Sequence, residues 1–544
     1  RRGIAIQSLF LQGQLPLLPQ AARLAQVQAL DASWEVAFTG ADRSFSAADL
    51  ALFSRLNRYG LVLEIEQRQA LLARAPGTPQ ILARQISDLT TKLADVAVPA
   101  GLRQELTTRR ADLESELYRL LPALKPLVVE PAQVARLLPK GAVLLEFQRY
   151  QPFDGRQKQS QQWAAQRYLA LVLNPAGTTQ AIDLGPAATI DRRIAQALEH
   201  SEAGGADATT LWQQVSEKVF PPPLLQLLGS ANQWIVATDG ELSRIPYAAL
   251  PSPSDPQRRL ADTVALRLVS SGRSLVLQPA ATDRTTTRPL VLADPDFGPP
   301  NANGRGWERL PATAKEGHAI SQILQAALYE QDDARTSVLT TAQNPALIHV
   351  ASHGYFASSS DRPRSVPAPQ RAGELRSAID SQPASRDAML NSGIVLAGAN
   401  RSMRPDRTPA GLTPASQTNA DDGYLTAKEA AQLQLRGTEL VVLSACDTAA
   451  GMQQSGEGLY GLQRALNVAG ARSTLLSLWK VDDNATAYFM ERYYHLLKQG
   501  KGRLEALLAV QEEFRTKPLH SAWKGLRYWA AFQLVGETGP IQGL

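Results

Sequence analysis

Two reactive side chains each stand at the end of an apolar run. His353 follows the run "LIHVAS", and Cys446, the single cysteine in 544 residues, follows the run "LVVLSA". An imidazole beside a thiol takes up its proton, and the resulting thiolate attacks a carbonyl carbon. These residue types therefore point to nucleophilic chemistry, with His353 as the base and Cys446 as the nucleophile.

The two apolar runs are predicted to be buried strands of one sheet. The stretches "ALIHVASHG", "ELVVLSACD" and "STLLSLWKV" are nearly continuous apolar runs, which is typical of parallel strands covered on both faces. In an open parallel sheet, ligands bind beyond the carboxyl ends of the strands. We therefore expect His353 and Cys446 to meet at one edge of the sheet, although they lie far apart along the chain.

Neighbouring backbone groups extend this hypothesis. Gly354 has no side chain, so a substrate can approach the backbone there, and its N–H with that of Cys446 is a candidate oxyanion hole. A helix predicted to start near Gly456 would favour an anion close to its N-terminus. The alternative is that Cys446 is an inert, buried small hydrophobe and His353 a satisfied structural residue.

Three segments are predicted from the change of pattern along the chain. Residues 1–135 carry apolar residues at helical spacing and are predicted to be helical, as a candidate end of a helical-repeat array. Residues 136–285 and 286–544 each alternate strands and helices, which predicts two α/β units with a largely parallel sheet. Within the second unit, "AKEGHAISQILQAALYEQ" is predicted as one helix. The Ser/Pro/Arg-rich insertion 357–423 is predicted to be a mobile surface loop, apart from the apolar stretch "AMLNSGIVLAG", which is predicted to be one more sheet segment.

Composition and charge exclude several classes of protein. The chain is 44% hydrophobic and 20% charged with a formal net charge of +5, and no Lys/Arg run with interleaved aromatics suggests a nucleic-acid partner. No apolar run approaches the roughly 18 residues of a membrane span. A single cysteine makes no internal disulfide, so we expect a reducing, cytoplasmic location. The chain begins "RRGIAIQ" without Met, so we expect a fragment or a processed product.

Two motifs point to cofactors but lack the required context. The stretch "GEGLYG" matches the dinucleotide pattern G-x-G-x-x-G, yet the strand before it ends near Ser444, roughly ten residues too early for a strand-to-helix turn. His349 and His353 share one face of a strand, but no third metal ligand is near in sequence. We expect no cofactor and no metal, and His349 is predicted to be a core histidine.

The C-terminal motifs resemble a known family. "HVASHGYF" and the stretch from "VVLSACDTAAG" to "HLLKQG" are similar to the CHAT domain, the caspase-like module associated with helical TPR repeats in bacterial proteins. Upstream motifs such as "ATDGELSRIPYAAL" and "LPATAKEGHAI" resemble the same module, so the resemblance covers roughly 140–540. The strand ends around His353 and Cys446 also resemble those of caspases and separases. The combined arrangement is similar to cyanobacterial CHAT proteins of the HetF-like type.

This resemblance implies a cysteine endopeptidase of the caspase-like clan acting on a protein substrate. His353 would be the general base and acid, and Cys446 the nucleophile. The implied fold is α/β, with a caspase-like, largely parallel sheet covered by helices and an all-helical region before it. The first α/β unit would be an inactive, pseudo-caspase half that packs on the active one.

The resemblance also implies a specificity. Separases carry a Leu-Trp-x-Val-x-Asp stretch whose Asp faces a basic residue before the cleaved bond, and "LWKVDD" places Asp483 at that position with Asp482 beside it. A carboxylate that pairs with an arginine or lysine is physically reasonable. The same residues precede a predicted helix, where Asp favours capping. Both interpretations stay open.

Other roles stay open as well. Asp447 either lines the same pocket or holds its loop through backbone hydrogen bonds, and we favour the loop; Glu457 is a loop anchor or a first-turn helix residue. The rival to an enzyme is a catalytically silent adaptor or scaffold that binds proteins through its helical region. In an enzyme, the helical region and the insertion 357–423 are candidate gates, and the N-terminal helices are a candidate surface for a regulatory protein.

Overall fold

The fold was described from a computed structural model of the chain. The structure describes residues 1–15, 26, 34–58, 65, 72–73, 75–94, 99–120, 127–276, 286–300, 306–356, 392–401, 421–444, 453–454, 458–459 and 461–544. Its strands are β1 (Ala142–Tyr150), β2 (Arg167–Leu173), β3 (Thr179–Pro186), β4 (Gln233–Ala237), β5 (Ala265–Val269), β6 (Leu290–Pro295), β7 (Ala327–Gln331), β8 (Leu347–Ala351), β9 (His353–Phe356), β10 (Ser392–Val395), β11 (Tyr424–Thr426), β12 (Leu440–Leu443), β13 (Gln453–Gln454), β14 (Gly458–Leu459), β15 (Ser473–Ser477) and β16 (Phe532–Gly536).

The helices occupy the N-terminal region and both faces of the sheets. They are α1 (Arg2–Gln14), α2 (Phe45–Arg58), α3 (Thr78–Ala94), α4 (Ala100–Arg119), α5 (Pro131–Ala135), α6 (Ala187–Ala203), α7 (Ala208–Val219), α8 (Pro222–Leu228), α9 (Arg273–Val276), α10 (Ala312–Leu324), α11 (Thr336–Thr341), α12 (Ala427–Ala430), α13 (Leu462–Ala469), α14 (Asp483–Lys498) and α15 (Arg503–Thr516). Short 3-10 turns lie at Val36–Phe38, Ala41–Arg43, Gln159–Gln161, Gly240–Arg244, Leu260–Asp262, Ser521–Lys524 and Leu526–Tyr528.

Two large sheets carry the α/β part of the chain. The first has the order β3-β2-β1-β4-β5 and the second the order β16-β15-β12-β8-β6-β7. In the second sheet every described pairing is parallel except that of the edge strand β16. In the first sheet, β1, β2 and β3 run antiparallel to their neighbours, whereas β1, β4 and β5 run parallel.

The two sheets share one hydrophobic core. A single cluster of buried side chains includes Val236 of the first sheet and Leu475 of the second. A hydrogen-bonded ion pair of 2.8 Å between Arg267 on β5 and Glu537, just after β16, joins the sheets at their edges. The predicted fold class is confirmed: an α/β structure with a largely parallel sheet covered by helices, after a helical N-terminal region. The boundaries at 135 and 285 remain predictions.

Two local predictions are wrong. The stretch predicted as one helix through Gln331 ends at Leu324, where Gln325 adopts a left-handed φ of 53°, and β7 then pairs in parallel with β6. Edge pairing overrides the helical propensity of these residues. The helix predicted to start near Gly456 begins at Leu462 instead, since the glycine-rich stretch before it has low helix propensity.

The insertion 357–423 is described only at 392–401 and 421–423. The predicted sheet segment within it is β10, which belongs to a separate three-stranded sheet of order β11-β10-β9. The predicted mobility of the insertion concerns residues outside the described ranges.

A buried ion pair joins the helical region to the first sheet. Arg55 on α2 is fully buried, and its guanidinium contacts the buried carboxylate of Glu146 on β1. It also donates to the side chain of Gln148 at 2.8 Å and to the carbonyl of Thr238 at 3.2 Å. The other oxygen of Glu146 accepts from the backbone N–H of Gly272. Arg55 therefore neutralises a charge that has no access to water.

We predict that Arg55→Met lowers the free energy of unfolding by about 3–5 kcal/mol, because it leaves the Glu146 carboxylate buried without a cation. Denaturant titration measures the change. The control is Lys501→Met, which breaks the exposed pair with Glu505 and should cost no more than about 0.5 kcal/mol. Similar losses in the two variants would contradict the role assigned to Arg55.

Candidate active site

The carboxyl ends of β8 and β12 lie side by side. The strands pair in parallel with Leu443 opposite Val350, and the N–H of Ser444 donates to the carbonyl of Val350 at 3.0 Å. His353 follows Val350 by three residues, and Cys446 follows Ser444 by two. Cys446 itself lies outside the described residues.

The imidazole of His353 is held on several sides. It is the first residue of β9 and pairs with Val395 of β10. Its ring lies 5.3 Å, centroid to centroid, from both Phe297 and Trp307. Its Nε2 is 2.7 Å from the carbonyl oxygen of Glu308. A carbonyl oxygen only accepts, so Nε2 carries the hydrogen and Nδ1 keeps a free lone pair in the neutral ring.

The surroundings of His353 favour its neutral form. Burial lowers the pKa of the imidazole, the hydrogen bond to the carbonyl of Glu308 opposes this, and the positive charge of Lys480 lowers it further. The imidazole is therefore unprotonated at neutral pH. This is the form that a general base requires.

The segment that contacts His353 is itself anchored. The N–H of Trp307 donates to the side chain of Asn400 at 2.7 Å, and Asn400 donates to the carbonyl of Gly298 at 2.8 Å. The guanidinium of Arg309 binds both carboxylate oxygens of the buried Asp294, at 2.9 and 2.6 Å. Sequence reasoning missed these residues.

Asp482 and Asp483 differ in their relation to the start of α14. Asp482 is the N-cap of α14, and its Oδ1 accepts from the N–H of Ala485 at 2.9 Å. Asp483 is the first helical residue and does not cap. Within the described part of the chain, its half-buried carboxylate accepts no hydrogen bond and contacts no cation.

The position of Asp483 makes its negative charge costly. Burial raises the pKa of its carboxyl, the charges of Asp482 and Glu316 raise it further, and Lys480 opposes them. Lys480 acts on His353 as well, so one lysine lies within electrostatic range of both side chains. A cationic ligand would relieve this local excess of negative charge.

A cleft of about 510 Å³ opens where α10 and α14 begin. This volume is within the range of ligand pockets. The lining combines small, aromatic and charged side chains: Ala312, Lys315, Asp482, Asn484, Ala487, Tyr488, Glu491, Leu519, His520 and Trp523. A peptide with both apolar and charged side chains suits such a surface.

The remaining candidate residues have different outcomes. Gly354 lies in β9 opposite Ile394 and is half-buried. Asp447 and Glu457 lie outside the described residues, as Cys446 does. His349 is fully buried, so its prediction as a core histidine is confirmed.

Searches for metal sites and membrane spans covered the same residues. In the ranges that the structure describes, no group of three or more His, Cys, Asp and Glu side chains is arranged to hold a metal ion. None of the helices in those ranges has the length and apolar character needed to cross a membrane.

Comparison with solved structures gives distant neighbours. The Saccharomyces cerevisiae separase–securin complex at 2.6 Å matches with a TM-score of 0.41 and 8% identity, over 90% of this chain and 38% of that one. The Arg-specific cysteine proteinase gingipain R matches with a TM-score of 0.31 and 10% identity, over 61% of this chain and 68% of that one.

Comparison with sequences identifies the family. Tetratricopeptide repeat protein 28 of Homo sapiens is 25% identical over 318 residues, and that of Mus musculus is 24% identical over 318 residues. Each match covers 57% of this chain, which spans only 12% of the length of these relatives. The CHAT domain family model matches residues 208–537. Because that match covers more than half of the chain, this protein belongs to the CHAT domain family.

Proposed function

We propose that this chain is a cysteine endopeptidase that cleaves a protein substrate after an arginine or lysine. The observation that carries the proposal is the hydrogen bond between Ser444 and Val350, which holds the ends of β8 and β12 together. Two residues of chain span at most about 7 Å, so Cys446 cannot lie farther than that from Ser444. That limit keeps the thiol near the strand end that leads to His353.

The proposed reaction uses the free lone pair of His353. Nδ1 takes the proton of the Cys446 thiol, and the thiolate attacks the carbonyl carbon of the scissile peptide bond. The N–H groups of Gly354 and Cys446 donate to the oxyanion. The imidazolium returns the proton to the leaving amine, and a water deprotonated by the same imidazole hydrolyses the acyl-enzyme.

Selection of a basic residue is assigned to Asp483. Its carboxylate is half-buried, contacts no cation within the described residues and is close to two other carboxylates. A guanidinium or ammonium group would supply the missing charge and charge-assisted hydrogen bonds. Asp482 is committed to capping α14, and Asp447 keeps the proposed role of holding the loop after the nucleophile.

The cleft beside Asp482 offers room for the neighbouring part of a polypeptide substrate. The proposed surface for a regulatory protein is α1, where Ile6 and Phe10 lie one turn apart and are 57% and 51% exposed. This surface would serve the rival function, a silent adaptor, equally well. The proposed location stays cytoplasmic, where a single cysteine is kept as a free thiol.

The proposed dyad can be tested by covalent labelling. An acyloxymethyl ketone peptide that ends in arginine should alkylate Cys446 in the wild type and at least about 100-fold more slowly in His353→Ala, which lacks the base. Intact-mass spectrometry reads the rate, and the single cysteine fixes the site. The control is His318→Ala, which removes an exposed histidine beside Glu330. Equal rates in wild type and His353→Ala would favour the adaptor.

The role of Trp307 leads to a prediction about the pKa of His353. Trp307→Ala opens the imidazole to water, so the pKa, which burial lowers, should rise towards about 6.5. NMR titration of protein labelled with ¹³C at histidine Cε1 measures it, and six histidines keep the spectrum simple. The resonance of His318, which lies on the surface beside Glu330, serves as the control. An unmoved His353 would contradict the proposed shielding by Trp307.

The role of Asp483 can be tested by selectivity. Asp483→Asn should lower the ratio of labelling rates for an arginine probe over its neutral citrulline analogue by about 10- to 100-fold, since one charged hydrogen bond is worth about 1.5–3 kcal/mol. The control is Asp112→Asn, which makes the same substitution at an exposed position on α4 and should leave the ratio unchanged. A loss of melting temperature with an unchanged ratio would make Asp483 a structural residue only.

A further inference from the structure

A buried polar set lies beneath the proposed active site. Nε2 of His349, in the middle of β8, is 3.0 Å from Oε1 of Glu316 on α10. Its Nδ1 is 3.1 Å from the hydroxyl of Tyr494 on α14, and the two rings meet edge to face at 5.5 Å. All three side chains are buried. The imidazole of His349 thus links β8 of the second sheet to both α10 and α14.

Burial of the Glu316 carboxylate is energetically unfavourable. A carboxylate removed from water costs several kcal/mol unless its oxygens are paired and hydrogen-bonded. Within the described ranges, neither oxygen of Glu316 accepts a well-aligned hydrogen bond, and Nε2 of His349 is its near polar neighbour. An apolar residue would fill this place without that cost. A buried group that is only partly satisfied calls for a functional explanation.

The charge of Glu316 acts on the proposed specificity residue. It raises the pKa of Asp483 at the start of α14 and that of Tyr494 in the same helix. The strand that carries His349 leads directly to His353. Glu316 therefore contacts the strand that leads to the proposed base, and its helix α10 lines one cleft together with α14, which carries the proposed cation-binding carboxylate.

We propose that Glu316 is a positioning residue for the selection of basic side chains. Held against His349, which also contacts Tyr494, it helps to fix α10 and α14 relative to β8, and its negative field adds to that of the Asp483 carboxylate. A cationic side chain is then favoured over a neutral one of the same shape. This inference rests on the proposed function and deepens it, because Glu316 acts through Asp483 without touching the substrate.

The test compares two probes on Glu316→Gln, which keeps the shape of the side chain and removes its charge. The ratio of Cys446 labelling by the arginine probe over the citrulline probe should fall about three- to tenfold, as expected for a charge acting at a distance. The rate with the citrulline probe should stay near that of the wild type. The matched control is Glu199→Gln, which removes the same charge from an exposed position on α6 and should leave the ratio unchanged.

The outcomes separate this inference from the proposed function. If Cys446 is labelled at the same rate in the wild type and in His353→Ala, the proposed endopeptidase function is overturned. If the wild type and the Glu316→Gln variant prefer the arginine probe over the citrulline probe equally, only the role of Glu316 is overturned. Equal losses with both probes, together with a lower melting temperature, also overturn it in favour of a purely structural role.

A second variant keeps the inference testable if Glu316→Gln does not fold. Tyr494→Phe removes only the hydroxyl that contacts His349 and keeps the packing of α14. It should lower the arginine-to-citrulline ratio by about two- to threefold, since it loosens one side of the same set. An unchanged ratio in this variant, with the melting temperature of the wild type, would overturn the positioning role.

Discussion

The parallel pairing of β8 with β12 is the constraint on which the candidate site depends. Both strands are buried along their whole length, so a shift of one residue in their register would exchange the side chains that pack on the two covered faces. Packing therefore fixes the register, and the register fixes the level at which each chain leaves the sheet. His353 acquires its position from this arrangement, and so does the point from which the chain continues towards Cys446. The chemistry proposed for these two residues would be a consequence of how two hydrophobic strands pack.

The base is oriented by a neutral group. A carboxylate hydrogen-bonded to Nε2 would orient His353 equally well, but its charge would stabilise the imidazolium and raise the pKa. The carbonyl of Glu308 selects the same tautomer but raises the pKa of His353 less than a carboxylate would. Burial against Phe297 and Trp307, which lowers the pKa, therefore has the larger effect, and the ring stays neutral. The same balance governs Asp483, where burial and like charges raise the pKa of an acid that lacks a partner. The proposed site thus holds a neutral base beside a carboxylate in need of a cation.

Much of this arrangement could be predicted from the sequence. The remaining parts could not be predicted, for physical reasons. The apolar runs of β8, β12 and β15 predicted the strands and their parallel order, because burial on both faces leaves a distinct pattern. β7 was mistaken for helix, since its residues favour helix and only pairing with β6 decides otherwise. The carbonyl of Glu308 could not be foreseen, because every residue has one and only the fold selects it. The division of roles between Asp482 and Asp483 depends on a helix start that is known to within a residue only from the structure.

The helical region is bound to the α/β part of the chain too firmly to act as a gate that dissociates from it. Displacement of α2 would withdraw Arg55 from Glu146 and leave a carboxylate buried without its cation, at a cost of about 3–5 kcal/mol. That cost is a large share of the stability of an ordinary domain. Deleting the helical region would therefore lower the stability of the α/β part, and this loss would mask any effect on regulation. A regulatory protein is better placed on the exposed face of α1, around Ile6 and Phe10, where it can bind while α2 keeps its buried contacts. Any signal from there would have to pass through the first sheet and the shared core to reach β8, which favours small shifts of packed elements over the release of a whole segment.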